Sequence, residues 1–261
     1  MIVNTHRLFA KLLPRMQIRA ICDVGSMNGA DAVIFSGAAP RSRVYAFEPN
    51  PLNFRLMEAR RGFFQERNIS LVPAAATNYD GVAEFFLVEA EYARADPRRG
   101  MSSLYRRSGE WASAAVVRVQ TLRLDSFLAA ECPGGARLAV WIDTEGAAYE
   151  VIEGLAGVVE RVQLLHVEVE TAPCIGANQK LYPEVKALLR RLGFSELATS
   201  HARSQVQFNG LFFRSALSRR MKLQISACLM HARLRYLMVR AVYRLCPACV
   251  RRYQRRRSGN P

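Results

Sequence analysis

Short apolar runs, several of which end in an acidic residue, alternate along this chain with stretches of helical periodicity. Residues 19–25, 43–48 and 136–143 are such runs, and this pattern is typical of parallel strands that are buried on both faces. Further strands are expected at residues 69–75, 82–88, 116–122, 162–169, 196–199 and 206–213. Helices are expected at residues 30–36, 51–66 and 181–192, and from about Ala147.

Alternation of strands and helices predicts an α/β fold of Rossmann-like type, with a mostly parallel sheet and helices on both faces. Right-handed crossovers place the carboxyl ends of the strands at one edge, where ligands bind. Residues 82–119 interrupt the alternation with a polar segment, GMSS at residues 100–103. Because long irregular segments in compact domains are often functional, we expect this excursion to cover the site.

Charge divides the chain into two unequal parts. The net charge is +15, and residues 214–261 contain 13 basic and no acidic side chains. The preceding residues contain 24 basic and 22 acidic side chains, so they are nearly neutral. We therefore divide the chain into a domain at residues 1–214 and a basic, helical extension at residues 215–261, which is suited to an anionic partner.

The six cysteines are too sparse for a disulfide scaffold in a chain of 261 residues. Residues 1–16 lack the apolar stretch of a signal peptide, and no run of about 18 apolar residues occurs. We therefore expect a cytoplasmic protein, at most peripheral to the inner face of a membrane. The C-x-x-C pair at residues 246–249 has no partner cluster, so no metal site is expected.

The turn after the first strand has glycines at positions 25 and 29 and an acid, Asp23, two residues before the first glycine. This differs from the G-x-G-x-x-G turn that binds a pyrophosphate anion. A carboxylate there favours a cationic ligand, such as the ammonium and sulfonium groups of S-adenosylmethionine. Glu48 ends the second strand, where a carboxylate can accept hydrogen bonds from two ribose hydroxyls.

Two later strands add carboxylates at the same edge. Asp143 and Glu145 follow one strand, and Glu168 and Glu170 close the next, near His166. Such an acidic rim could hold a cation and remove a proton from a hydroxyl group, with Asp143, Glu145 and His166 as candidate bases. Alternating surface polarity would also explain Glu168 and Glu170. For His166, a satisfied position in the core is the more ordinary interpretation.

Six segments occur in an order that resembles the FkbM family of S-adenosylmethionine-dependent methyltransferases. They are DVGSMNG (23–29), AFEPNP (46–51), PAAATNYDG (73–81), TLRLDSFL (121–128), WIDTEGAAYEVIEG (141–154) and LLHVEVET (164–171). The resemblance covers residues 18–214. It implies a class I methyltransferase fold with a seven-stranded sheet whose last strand is antiparallel, S-adenosylmethionine as cofactor, and methylation of a hydroxyl on a sugar, a glycan or a secondary metabolite.

The resemblance also implies roles for individual residues. The cofactor-binding residues would be Asp23, Gly25, Ser26, Asn28 and Gly29 around the methionine part, Glu48 on the ribose, Ala74 and Ala75 beside the adenine, and Asp143. Asp143 and Glu145 would face the methyl group and the acceptor. Two positions depart from the family pattern: Ala148 stands where a second glutamate is common, and Ser26 stands where alanine is commoner.

Alternatives remain for the whole chain and for its extension. An RNA methyltransferase would use the basic extension for RNA, and a non-catalytic module would bind the cofactor without turnover. The extension itself fits an amphipathic helix on an anionic membrane surface, ended by Pro247, equally well as helices docked on the domain. Nucleic acid is the less favoured partner. The sequence does not indicate an oligomeric state.

Overall fold

The computed structural model describes residues 1–88, 97–107, 113–201 and 205–245. Within these residues, ten strands form two sheets. They are β1 (Ala20–Val24), β2 (Arg43–Phe47), β3 (Ile69–Val72), β4 (Ala74–Thr77), β5 (Gly81–Leu87), β6 (Ala115–Arg123), β7 (Leu138–Ile142), β8 (Val162–Glu170), β9 (Phe194–Thr199) and β10 (Gln207–Arg214).

Seven of these strands make the main sheet, in the order β3-β2-β1-β7-β8-β10-β9. The strands from β3 to β8 run parallel, and β10 pairs antiparallel with both β8 and β9. The strand order reverses direction between β1 and β7, which creates a crevice at the carboxyl ends of the strands. The predicted Rossmann-like fold, with a seven-stranded sheet and an antiparallel last strand, is confirmed.

Helices cover both faces of this sheet. They are α1 (Thr5–Leu12), α2 (Ala30–Ala38), α3 (Pro51–Glu58), α4 (Arg61–Gln65), α5 (Leu124–Glu131), α6 (Ala148–Glu153), α7 (Tyr182–Arg191) and α8 (Arg219–Leu245). Helices α5, α6 and α7 bury their apolar side chains against one face. The remaining five helices pack on the other face. Neighbouring residues of β1 point to opposite layers, since Cys22 faces the first core and Ile21 the second.

Residues 69–75, predicted as one strand, form two strands in different sheets. Strand β3 pairs with β2 in the main sheet, whereas β4 pairs with β6 in a separate three-stranded sheet that also contains β5. Pro73 stands between β3 and β4 and has no N–H group to continue a ladder of hydrogen bonds. This second sheet, which the sequence analysis did not predict, has a small apolar core around Phe85 and Leu87.

The single helix predicted at residues 51–66 is also wrong, because the helix is interrupted between α3 and α4. Arg60 leaves the helical region at φ −120°, and its N–H bonds to the Met57 carbonyl. The interruption lets α4 bury Phe64, which lies against Gly29. Helices α1 and α5 were not predicted.

Helix α1 is joined to the middle of the main sheet by a buried polar contact. Thr5 Oγ1 lies 3.0 Å from Nε2 of His166 on β8. The imidazole stacks on Trp141 of β7 with a centroid distance of 3.4 Å, and Phe9 of α1 contacts both rings. Burial lowers the pKa of His166 well below its ordinary value, so the ring is neutral in the core.

Helix α8 begins close to the end of the main sheet and packs on the same core as α1. Ile225 and Cys228 are buried there, while most of the helix faces solvent. The expectation of a helix in the basic extension therefore holds through Leu245, and the division of the chain at residues 214 and 215 stays a prediction. Pro247, the C-x-x-C pair and the final arginines lie outside the described residues.

Among the helices of the described segments, none combines the length and the apolar character that crossing a lipid bilayer requires.

We predict that Thr5→Val lowers the free energy of unfolding by about 1–3 kcal/mol, because it leaves a buried imidazole nitrogen without its partner. Urea denaturation measures this loss. Thr5→Ser keeps the hydroxyl group and is the matched control, with a much smaller expected loss. Equal losses for the two variants would contradict a role for the hydrogen bond.

Candidate functional site

Strand register brings the carboxyl ends of four strands together at the crevice. Val24, the last residue of β1, lies beside Phe47 of β2 and Ile142 of β7. The residues that follow, Gly25, Glu48 and Asp143, therefore meet. Strand β8 adds Glu168 next to Asp143, since Ile142 pairs with Val167. Gly25, Glu48, Asp143 and Glu168 line a cavity of about 210 Å³.

Gly25 occupies the point of closest approach between the β1 and β7 turns. Its φ is +85°, and a Cβ atom there would lie 1.8 Å from the carbonyl oxygen of Asp143. The Gly25 N–H donates to the carbonyl of Phe47 at 3.1 Å. Only glycine satisfies both the left-handed backbone and this contact, so the turn holds the main chain itself at the cavity wall.

Glu48 is buried at the cavity and is held by backbone donors on both oxygens. Met27 N donates to Oε2 at 2.6 Å, and Asn50 N donates to Oε1 at 2.9 Å. These bonds favour the ionised form, yet burial outweighs them and raises the pKa of Glu48 to about 7. The carboxyl group is thus fixed in position and costly to ionise without a further partner.

Three carboxyl groups cluster on the opposite side of the cavity. Asp143, Glu145 and Glu168 each place an oxygen within 4.8 Å of the others. Burial raises the pKa of all three, to about 7 for Glu145, and the neighbouring Asp143 and Glu145 carboxyl groups raise the pKa of Glu168 further. One oxygen of Glu168 is buried without a partner. The cluster could therefore hold a cation, whether a metal ion or a cationic organic group.

Arg107 offsets part of this negative charge. Its guanidinium forms an ion pair with Glu145 and donates from Nε to the Met101 carbonyl at 2.8 Å. Ser103 Oγ donates to the Glu145 backbone carbonyl at 2.6 Å. The polar segment predicted to cover the site is thus bound to the β7 turn by these contacts, and Arg99, Gly100, Ser102 and Leu104 line the cavity.

The remaining wall is mainly apolar. Ala74 and Ala75 of β4 line it together with Phe47, Phe85 and Leu104. This part of the cavity could accept a flat apolar ring.

Of the residues predicted for the site, the structure brings six to the cavity and leaves five outside its lining. The six are Gly25, Glu48, Ala74, Ala75, Asp143 and Glu145, and the five are Asp23, Ser26, Asn28, Gly29 and His166.

Four of these five residues, all except His166, lie in or beside the β1 turn, behind the residues that line the cavity. Asp23 is buried and accepts a hydrogen bond from Ser26 Oγ at 2.6 Å, and burial raises the pKa of Asp23 to about 7. Asn28 Oδ1 accepts from Ala30 N at the start of α2, while Gly29 makes room for the Phe64 ring. Their observed contacts shape the β1 turn.

His166 does not reach the cavity, so the structure disagrees with its candidacy as a base. It lies on the same face of β8 as Glu168 but two residues deeper, where it contacts Thr5 and Trp141. A strand rises about 3.3 Å per residue, which separates the imidazole from the edge. The core interpretation of this histidine is the one that its contacts support.

Several residues of the cavity were missed by sequence reasoning. Asn53 contacts Glu48 and also bonds to the Arg99 backbone carbonyl, at 2.9 Å. Asn50 follows Glu48 closely enough that its segment could have suggested it. Arg99 and Arg107 lie far along the chain from their partners, Asn53 and Glu145. The only feature of the sequence that could have suggested these arginines is that they lie close to the GMSS segment at residues 100–103.

A model of the methyltransferase FkbM domain matches residues 23–196. No curated protein matches the chain. Among solved structures, EvdMO1 superposes with a TM-score of 0.45 at 12% identity, over 80% of this chain and 40% of its own. An rRNA methylase from Streptococcus thermophilus gives a TM-score of 0.42 at 12% identity, over 80% of this chain and 93% of its own.

The N-terminal domain of EvdMO1, in the presence of SAH and D-fucose, has a TM-score of 0.44 at 14% identity, over 81% of each chain. This chain spans less than half, 40%, of the longer EvdMO1 chain.

We predict that Glu168→Gln raises the melting temperature at about pH 8 by roughly 2–4 °C, the shift that about 1 kcal/mol produces in a chain of this size. Because the pKa of Glu168 is raised in the folded state, its ionisation destabilises the fold increasingly as the pH rises above the ordinary value of 4.5. At about pH 5 the gain should be smaller.

Differential scanning fluorimetry at both pH values measures this effect. Glu131→Gln, on the exposed end of α5, is the control and should shift neither melting temperature. A gain for Glu168→Gln that is the same at both pH values would show that ionisation of Glu168 is not the cause.

Proposed function

The chain belongs to the FkbM methyltransferase family, and on that basis we propose that it moves a methyl group from S-adenosylmethionine to a hydroxyl group of a sugar, a glycan or a secondary metabolite. The observation that carries the cofactor assignment is the carboxylate-rich cavity at the switch point of the sheet, with Glu48 fixed at its wall.

The charge of the cavity fits a cationic cofactor. Glu48, Asp143, Glu145 and Glu168 line it, and burial raises all four pKa values, even that of Glu145, which Arg107 partly neutralises. An ammonium or sulfonium group would lower these pKa values and be bound in return. A pyrophosphate group would meet repulsion here, which argues against a nicotinamide dinucleotide.

The positions of the lining residues suggest how the cofactor would be held. Glu48 would accept hydrogen bonds from the ribose hydroxyls, and Ala74 and Ala75 would pack against the adenine. Gly25 and Asp143 would border the methionine part. We infer that Asp23, Ser26, Asn28 and Gly29 support this arrangement indirectly by fixing the turn. When bound, S-adenosylmethionine supplies an electrophilic methyl group on a sulfonium.

Glu145 is the residue that we propose as the base. It lines the cavity, and its pKa of about 7 suits a group that takes a proton from a hydroxyl near neutral pH. Arg107 holds the carboxylate in place and favours its ionised form. Asp143 accepts a hydrogen bond from protonated Glu168 and is better suited to binding than to proton transfer. The apolar wall and the 99–104 segment would exclude water from the acceptor.

We predict that Glu48→Ala weakens S-adenosylmethionine binding roughly tenfold to a hundredfold, the range for hydrogen bonds to a charged group. Isothermal titration calorimetry measures this, with NAD titrated in parallel and Glu131→Gln as the control variant. No binding of S-adenosylmethionine to the wild-type protein, or tighter binding of NAD, would overturn the cofactor assignment.

We predict that Glu145→Gln lowers turnover by roughly 10²–10⁴-fold while cofactor affinity changes little, as loss of a general base does. Wild-type turnover should rise with pH through about 7, because ionised Glu145 is the active form. Release of S-adenosylhomocysteine over a panel of hydroxylated acceptors measures the rate. Cofactor binding without turnover on any acceptor would favour a non-catalytic module, and unchanged turnover in the variant would exclude Glu145.

A further inference from the structure

Helix α8 has two apolar faces. The docked face contains Ile225 and Cys228, which are 2% and 7% exposed and pack on the core beside α1. The opposite face, here called the outward stripe, is exposed to solvent. It consists of Leu223, Met230, Leu234, Leu237 and Met238, which are 65%, 65%, 55%, 49% and 62% exposed.

The outward stripe is regular. Leu223, Met230, Leu234 and Leu237 follow one another at intervals of seven, four and three residues, which keeps them on one side of a helix with 3.6 residues per turn. From Leu223 to Met238 the stripe extends about 24 Å at 1.5 Å per residue. Of the twelve large apolar side chains that are exposed in the described part of the chain, six lie on α8.

Basic side chains flank this stripe. Arg219, Arg220, Arg233 and Arg235 are exposed on α8, and the sequence from residue 214 to 261 contains 13 basic and no acidic side chains. Isolated exposed apolar residues are ordinary on a protein surface. An aligned row of them between arginines is the pattern of a helix that lies in a membrane interface.

We propose that the outward stripe of α8 inserts into the surface of an anionic lipid bilayer, so that the protein is held peripherally with its docked face toward the methyltransferase domain. The leucines and methionines would enter the acyl boundary, and the arginines would contact the head groups. This inference goes beyond the proposed reaction and does not depend on it.

Two other binding partners fit the outward stripe less well than an anionic bilayer does. A second copy of this chain would bring together two helices that carry arginines and no acid, so repulsion would oppose pairing through the stripe. RNA would satisfy the arginines but would leave the leucines and methionines in water, because phosphate contacts bury no apolar row. An anionic bilayer satisfies both groups at once.

Co-sedimentation of the full chain with vesicles tests the proposal. We expect binding to phosphatidylcholine vesicles that contain roughly one third phosphatidylglycerol, and much weaker binding to pure phosphatidylcholine. The variant Met230→Gln/Leu234→Gln/Leu237→Gln should bind the anionic vesicles at least about tenfold more weakly, because it loses apolar insertion but keeps every charge.

The matched control removes three exposed apolar side chains elsewhere, as Ile34→Gln/Val116→Gln/Val206→Gln, at residues that are 45%, 44% and 50% exposed. It should bind vesicles as the wild type does, and the melting temperatures of both triple variants verify that they are folded. The proposal is overturned if the wild type ignores anionic vesicles or if the outward-stripe variant binds them undiminished. It is also overturned if sedimentation velocity shows a dimer that this variant dissolves, or if single-stranded RNA prevents vesicle binding by the wild type.

Discussion

Parallel strand register is the constraint on which the rest of this structure depends. It aligns Val24, Phe47 and Ile142 at one level of the sheet, so the residues just beyond them must share a small volume. Those residues include Glu48, Asp143 and, from β8, Glu168, whose pKa values are all raised by burial. The fold thus concentrates carboxyl groups where their ionisation is costly. Such an arrangement weakens the folded chain but prepares it to bind a positive charge.

The parts of the site that sequence could predict are those in which position along the chain determines position in space. Acids just beyond the last residue of a parallel strand reach the carboxyl edge, and Glu48, Asp143 and Glu145 satisfied this rule, whereas Asp23, one residue inside β1, lies behind the cavity wall. Glycine at position 25 could be assigned for the same reason. The α/β architecture followed from the alternation of strands and helices, and the seven-stranded sheet with an antiparallel last strand followed from the family resemblance.

The parts that it could not predict depend on contacts between distant segments. The sequence favoured a core position for His166, but Thr5, its hydrogen-bond partner, lies 161 residues away in the chain. The pairing of Arg107 with Glu145 joins residues 38 apart in sequence. The division of residues 69–75 between two sheets occurs at Pro73, which has no N–H group. Whether a proline interrupts a strand depends on whether a neighbouring strand would have accepted a hydrogen bond at that position.

The close contact at Gly25 has a geometric consequence for the cavity. Since a single Cβ atom at this position would lie 1.8 Å from the Asp143 carbonyl oxygen, the β1 and β7 turns touch through their main chains. The separation of these two turns at the cavity wall is then set by backbone contact, which side-chain rotamer changes cannot alter. Side chains elsewhere in the lining can reshape the cavity, whereas this part of its wall is fixed by the bare backbone of one glycine.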